Sequence, residues 1–374
     1  MARNYPGIYP RTTEKGERRW DVSFDYYDAQ GKRRQFMRTF MTLKDARAAK
    51  TEHDAKKGKG VDTKPCKATF GECAAAWLAA YGPHVSEGSL ATYEGTLRRH
   101  ILPDLGRVPV GRLSLARLEQ HYADLAARGV SAGLIRNVHT LCRQILRWGV
   151  LHDYSIDATA LRARPPRYER KEMTCWSDGD MARFLAAAKE GTYAALWRTA
   201  LLTGMRRGEL MGLEWADIDW DEHKITVRRC RSVVVNRIVV GPTKNRQTRV
   251  LDVPPKLLDV LREHRKQQLA RRLRHKGEWP EPELVFTTRE GTTVQPKCLR
   301  NDLAAILDRA GLEHVRIHDL RHTHASWMFR HGRSVPEVSR RLGHKNAAQT
   351  LNVYAHCIPE QHKATAELLG QMFG

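Results

Sequence analysis

Two polar connectors constrain this chain more than any other feature. KKGKGVDTKPCK at 56–67 and ARPPRYERKE at 163–172 are crowded with Lys, Arg, Gly and Pro and show no apolar periodicity. Neither can lend a stripe to a shared core, so one continuous sheet or bundle is excluded. The expected layout is a small module over 1–58, a linker over 59–67, a helical domain over 68–162, a linker over 163–172 and a mixed domain over 173–374. A length of 374 residues suits two or three such cores.

The parts differ in pattern, and together they predict a multidomain α+β protein. In RRWDVSFDYYDAQGKRRQFMRTF, apolar residues alternate at Trp20, Val22, Phe24 and Tyr26, a loop containing Gly31 follows, and a second strand ends near Phe40. Thr42 with Asp45 opens a helix at capping-box spacing, as do Thr69 with Glu72 and Ser177 with Asp180 further on. Four helical patterns reach to about residue 152, with stripes such as Leu90, Tyr93, Leu97 and Ile135, Val138, Cys142, Ile145. In the last region KITVRR, SVVVNRIVVG and TRVLDVP predict a three-stranded antiparallel meander among mainly helical stretches.

Charge narrows the partner. There are 64 Lys and Arg against 42 Asp and Glu, a formal charge of +22, and residues 1–65 alone hold 16 basic against 9 acidic side chains. Such an excess favours a polyanion, first of all nucleic acid, whose phosphates release counterions on contact with Lys and Arg. A small basic ribbon is also the size that fits a DNA major groove. No apolar run is long enough to span a bilayer and no basic amphipathic helix has a broad aromatic face, so a membrane is not expected as partner. The amino end has no signal-peptide apolar region, which predicts an intracellular protein. Seven cysteines without a Cys-x-x-Cys spacing read as reduced thiols rather than a disulfide frame or zinc cage.

Three stretches of the last region carry charge that a core would avoid. TGMRRGELMGLEW supplies Arg206, Arg207 and Glu209 just after a Gly; HDLRHTHASW sets His318 and Arg321 three apart on one helical face; LGHKNAAQTLNVYAHC gives His344 and Tyr354. Lys244 lies in the turn GPTKNRQTRV. His322 and His324 invite a metal reading with His318, but no carboxylate or Cys lies at a ligand spacing, so they read as satisfied or exposed imidazoles. Arg207 reads as an ion-pair or phosphate contact.

The order Arg, Lys, His-x-x-Arg, Gly-His, Tyr resembles the tyrosine recombinase family of phage and transposon integrases. TGMRRGEL resembles its first-arginine box, HDLRHTHAS its His-x-x-Arg box and LGHKNAAQTLNVYAH its nucleophile box. The resemblance implies an arm-type DNA-binding module, a helical core-binding domain and a catalytic domain. It further implies double-stranded attachment sites as substrate, four protomers exchanging strands through a Holliday junction, and a place on DNA in the bacterial cytoplasm. An excision or DNA-bending accessory protein is a further implied partner. In PEQHKATAELLGQMFG, Ala366, Leu368, Leu369 and Met372 form a short apolar helix that either docks on a neighbouring protomer or caps its own domain.

The chemistry agrees. Cutting and rejoining DNA without cofactor, metal or ATP requires the phosphodiester energy to be kept in a covalent bond, which an oxygen nucleophile such as Tyr354 provides. A phenol is only about one part in a thousand ionised at neutral pH, so it needs a base and cations nearby. Arg206 and Arg321 suit the non-bridging oxygens of the pentavalent phosphorus, and His344 donates to one of them. Lys244 is the candidate acid for the departing 5′ oxygen, His318 accepts or shares the tyrosine proton, and Glu209 orients Arg206 or His318. A type IB topoisomerase would use the same groups, but a separate basic sheet on a linker suits an enzyme binding two kinds of site. A DNA-binding regulator without catalysis has no need of the set.

Overall fold

In the computed structural model, residues 5–13, 16–27, 33–58, 68–152, 154, 156, 158–167, 175–235, 237–243, 247–281 and 283–354 are described. The chain divides into two compact units, Met1–Arg170 and Lys171–Gly374.

In the first unit, β1 (Ile8–Thr12), β2 (Arg18–Tyr27) and β3 (Arg33–Phe40) form an antiparallel sheet in sequence order. The alternation in β2 sends Val22 and Phe24 inward with Ile8, against Ala46 of α1 (Leu43–Gly58). The register Phe24↔Phe36 and Trp20↔Phe40 keeps the aromatic rows on that face. The α1 start is capped as expected, the Asp45 N–H donating to Thr42 Oγ1 at 3.1 Å. The opposite face carries Tyr9, Arg11, Arg33, Gln35 and the 59 % exposed Met37.

A separate buried cluster holds the helical part of this unit. It comprises α2 (Phe70–Tyr81), α3 (Glu87–Thr96), which continues through a π-turn at Leu97–Ile101 into α4 (Leu102–Leu105), α5 (Leu115–Ala127) and α6 (Ala132–Leu151). The Thr69–Glu72 capping box is present in both directions. Ile135, Val138, Cys142 and Ile145 form the buried stripe of α6, while Tyr93 packs at the margin of the cluster.

The second unit is built on α7 (Asp178–Ala188), α8 (Ala194–Thr203), α9 (Arg207–Met211), β4 (Ile218–Asp219), β5 (Lys224–Val227), β6 (Arg229–Val234), β7 (Arg237–Pro242), β8 (Arg249–Asp252), α10 (Pro255–Arg274) and α11 (Pro296–Ala310). The expected meander is corrected here: β5 pairs with β4 and β8, whereas β6 and β7 form a hairpin of their own. Ile225, Val227 and Leu251 are drawn into the core, and Arg228 and Arg229 are pinned to Asp217 at 3.1 and 3.3 Å, so the chain leaves the sheet there. The hairpin keeps its aliphatics outside, with Val235 79 % and Val240 55 % exposed. Helices α12 (Ile317–Arg330), α13 (Val335–Leu342) and α14 (Ala347–Tyr354) complete the unit around a small cluster of Ala325, Met328, Phe329, Val338, Leu342 and Tyr354. The apolar tail helix expected beyond Pro359 lies outside the described residues, as does the 59–67 linker. No helix among the described residues is long and apolar enough to cross a membrane.

Candidate active site

Glycine ends two of the helices that build the site. Gly204 closes α8 at φ +64°, where a Cβ would meet His324 Cδ2 at 2.7 Å, and Gly343 closes α13 at φ +67° with Arg249 close behind it. The Gly204 carbonyl accepts from Arg321 Nη1 at 2.8 Å. Arg321, 2 % exposed on α12, donates its other arm to the Leu342 carbonyl at 2.6 Å. Arg206 stands at the start of α9 in extended conformation, and its Nη2 reaches the Gly343 carbonyl at 3.4 Å. Two guanidiniums from distant helices therefore rest on consecutive carbonyls, immediately before His344.

Glu209, 1 % exposed, holds this pair of elements together. It accepts from the Arg206 N–H at 2.8 Å and Arg206 Nη1 at 2.9 Å, and from Arg249 at 3.0 and 2.6 Å. Burial works to raise its pKa, but the hydrogen bonds and charge of Arg249, then those of Arg206, prevail and bring it down to about 2. Its oxygens go to two arginines, Arg206 and Arg249, and its hydrogen bonds among the described residues do not include His318. Burial, then the charge of Arg206, lowers the Arg321 pKa to about 9, which leaves it protonated at neutral pH.

His344 faces Thr350 through Nδ1 at 2.6 Å. Burial, then Arg321 and Arg206, pushes its pKa to about 4, so it is neutral near pH 7. Tyr354 ends α14, 1 % exposed, with its ring 5.9 Å from Phe329 and its hydroxyl 2.5 Å from His322 Nδ1. His318 is solvent-exposed and meets His322 edge to face at 4.9 Å; its pKa is lowered by desolvation and by Arg321 and Arg206. The imidazole beside the phenol is thus His322, not the expected His318. The spacing of four from His318 to His322 on one helix was the available signal, hidden by the His-x-x-Arg pattern beside it.

The remaining expectations sort themselves by contact. Lys244 falls in 244–246, outside the described residues. Its described neighbours Thr243 and Gln247 line an open cleft of about 430 Å³ with Arg206, Arg249, Arg340, Gly343 and His344. Arg207 is exposed beside β6 and does not line that cleft. His324 is engaged by the Leu201 carbonyl at 3.0 Å and by Arg341 Nε at 3.1 Å, and His322 by Tyr354. Arg249, Arg341 and Thr350 escaped the sequence reading because an arginine in a strand or a threonine in a helix carries no mark of its partner.

Comparison with known proteins gives this arrangement its relatives. The family model described as "Phage integrase family" matches residues 178–361, and "Phage integrase, N-terminal SAM-like domain" matches 69–122. A "Tyrosine recombinase XerC-like" protein of Caldanaerobacter subterraneus is 28 % identical over 355 residues, 89 % of this chain and 90 % of that one. The integrase of Mycobacterium phage L5 is 27 % identical over 295 residues, 77 % of this chain and 76 % of that one. Among solved structures, the Tn1549 transposon integrase in complex with a circular intermediate DNA superposes with a TM-score of 0.70 at 17 % identity, covering 80 % of this chain and 99 % of that one. A lambda integrase tetramer bound to a Holliday junction gives 0.57 at 13 % identity, covering 93 % and 98 %. Those two likenesses establish the fold alone; the two family models and the related sequences make this chain a member of the phage integrase family, the tyrosine recombinases.

Proposed function

We propose that the chain is the site-specific integrase of a phage or other mobile element, cutting DNA by attack of Tyr354 and holding it as a 3′-phosphotyrosyl linkage. The observation that supports this most is the pair of guanidiniums on the Leu342 and Gly343 carbonyls, which gathers both arginines at the segment leading to His344 and Tyr354. Arg206, which lines the cleft, and Arg321, buried on the neighbouring carbonyl, serve the non-bridging oxygens of the phosphate, where negative charge accumulates in the transition state. His344 donates a further hydrogen bond, Glu209 fixes the angle of Arg206, and Lys244 protonates the departing 5′ oxygen. His318, at the exposed mouth, stands against the His322 ring and shares in the passage of the tyrosine proton to solvent. No cofactor is needed, because the phosphotyrosine conserves the energy for rejoining.

The basic sheet of 1–58 serves as an arm-site module, 68–162 as a core-binding clamp and 173–374 as the catalytic domain. The working form is a homotetramer on two attachment sites, by analogy with the lambda integrase tetramer on a Holliday junction. An excision or bending protein joins it for one direction of recombination. The test is incubation with nicked, site-containing DNA. Wild-type protein is expected to form a covalent adduct at Tyr354, and Tyr354→Phe, which keeps the ring and removes one oxygen, to form none. An adduct with Tyr354→Phe sinks the nucleophile assignment.

A further inference from the structure

The geometry points to His322 as the base that takes the proton of Tyr354 during strand cleavage. This rests on the reading of Tyr354 as nucleophile. Nδ1 of His322 lies 2.5 Å from the phenol oxygen, both side chains are buried, and among the described residues no second hydrogen bond to the His322 ring competes for that nitrogen. A buried tyrosine used only for packing is satisfied by any acceptor, a backbone carbonyl included. Here the partner is a titratable nitrogen in direct contact with the reacting atom, and it accepts the phenolic proton in the tautomer that carries its own proton on Nε2.

The surroundings fit the task. α12 presents His318, Asp319 and Arg321 to the His322 ring, Arg316 stands at its start, and α14 presents Tyr354. Burial first, then His318, with Arg321 and Arg316 further down, holds His322 neutral and its pKa at about 4. Its lone pair is therefore available at pH 7. Asp319, one turn earlier, attracts the imidazolium once formed, and Arg316 fixes that carboxylate through contacts of 2.7, 3.1 and 3.0 Å. A weak base suffices because the phenolic proton becomes strongly acidic as its oxygen bonds to phosphorus, so transfer accompanies bond formation.

The step balances. The bond from Tyr354 Oη to phosphorus forms as the bond from phosphorus to O5′ breaks; the phenolic proton passes to His322 Nδ1, and O5′ leaves with its electron pair and gains a proton from the acid of the site. Rejoining reverses both transfers, His322 returning the proton to the phenol.

The test compares single-turnover adduct formation by wild type, His322→Phe and His322→Asn across pH. Both variants are expected to bind DNA normally and to cleave about 10²-fold more slowly at pH 7, with a rate that climbs as pH rises. His322→Asn keeps a hydrogen-bonding partner that cannot accept a proton, so it separates placement from proton transfer if His322→Phe fails to fold. A ring-fluorinated, more acidic tyrosine in place of Tyr354 should restore much of the loss in both, and little of the loss in Arg321→Ala. Wild-type rates in either variant, faster cleavage, or slow cleavage without rescue by the acidified phenol would overturn the assignment. Adduct formation by Tyr354→Phe would instead remove the nucleophile reading beneath it.

Discussion

Glu209 sits between two guanidiniums in a place where water cannot screen it, and its loss leaves both uncompensated. Glu209→Gln should therefore cost about 3 to 5 kcal/mol in denaturant unfolding and slow cleavage severely. The pH sign follows from its depressed pKa: its contribution is fully present above the usual carboxylate value near 4.5 and is lost as pH falls toward about 2. Acid titration of stability should show this limb in wild type and lose it in Glu209→Gln. Lys244 is tested by its leaving group. Lys244→Ala should cleave ordinary DNA poorly but recover on a strand whose bridging 5′ oxygen is sulfur, since a thiolate departs with little protonation. Arg206→Ala should recover far less, and equal recovery of the two would leave Lys244 a mere phosphate contact. At this scale the sequence was readable where charge is out of place, as at Arg206, Glu209, Arg321 and His344. It was silent where function depends on which of three neighbouring histidines turns toward the phenol.

Element by element, the helix starts are legible because the cap is local: Thr69 and Glu72, or Ser177 and Asp180, satisfy each other's backbone within four residues. The meander was misjudged because strand pairing is not local. KITV reads the same whether its neighbour is β6 or β8, and the decision lies with Asp217, whose grip on Arg228 and Arg229 turns the chain out of the sheet. The turn between α8 and α9 is the element whose failure reaches the site most directly. Gly204→Ala asks an L residue to adopt φ +64° against His324 and displaces the carbonyl that holds Arg321. We expect a loss of about 1 to 3 kcal/mol in thermal or denaturant unfolding and slower adduct formation. Unchanged stability would show that the turn relaxes freely.

For the whole molecule, the charge of +22 makes affinity a function of salt. Each phosphate neutralised adds about 0.9 to the slope of log affinity against log salt. The full chain should show a steeper slope than a chain beginning near Val61, which should still cleave a core site while losing tight binding to a distal arm site. Equal arm-site binding by the two would separate the 1–58 sheet from DNA recognition. The same salt that lifts such a protein off nucleic acid also shrinks the Debye length to about 3 Å at 1 M and silences the repulsion between copies. What then remains outward on the β6–β7 hairpin is Val235 in its turn and Ile238 and Val240 on β7, a strand that pairs with β6 alone among the described residues. An aliphatic strand edge with its electrostatic guard removed is a template for sticking. Light scattering should rise with salt and concentration, and Val240→Lys should suppress the rise. The protein is thus most soluble in the buffers where it clings hardest to DNA, a conflict set by three residues of hairpin.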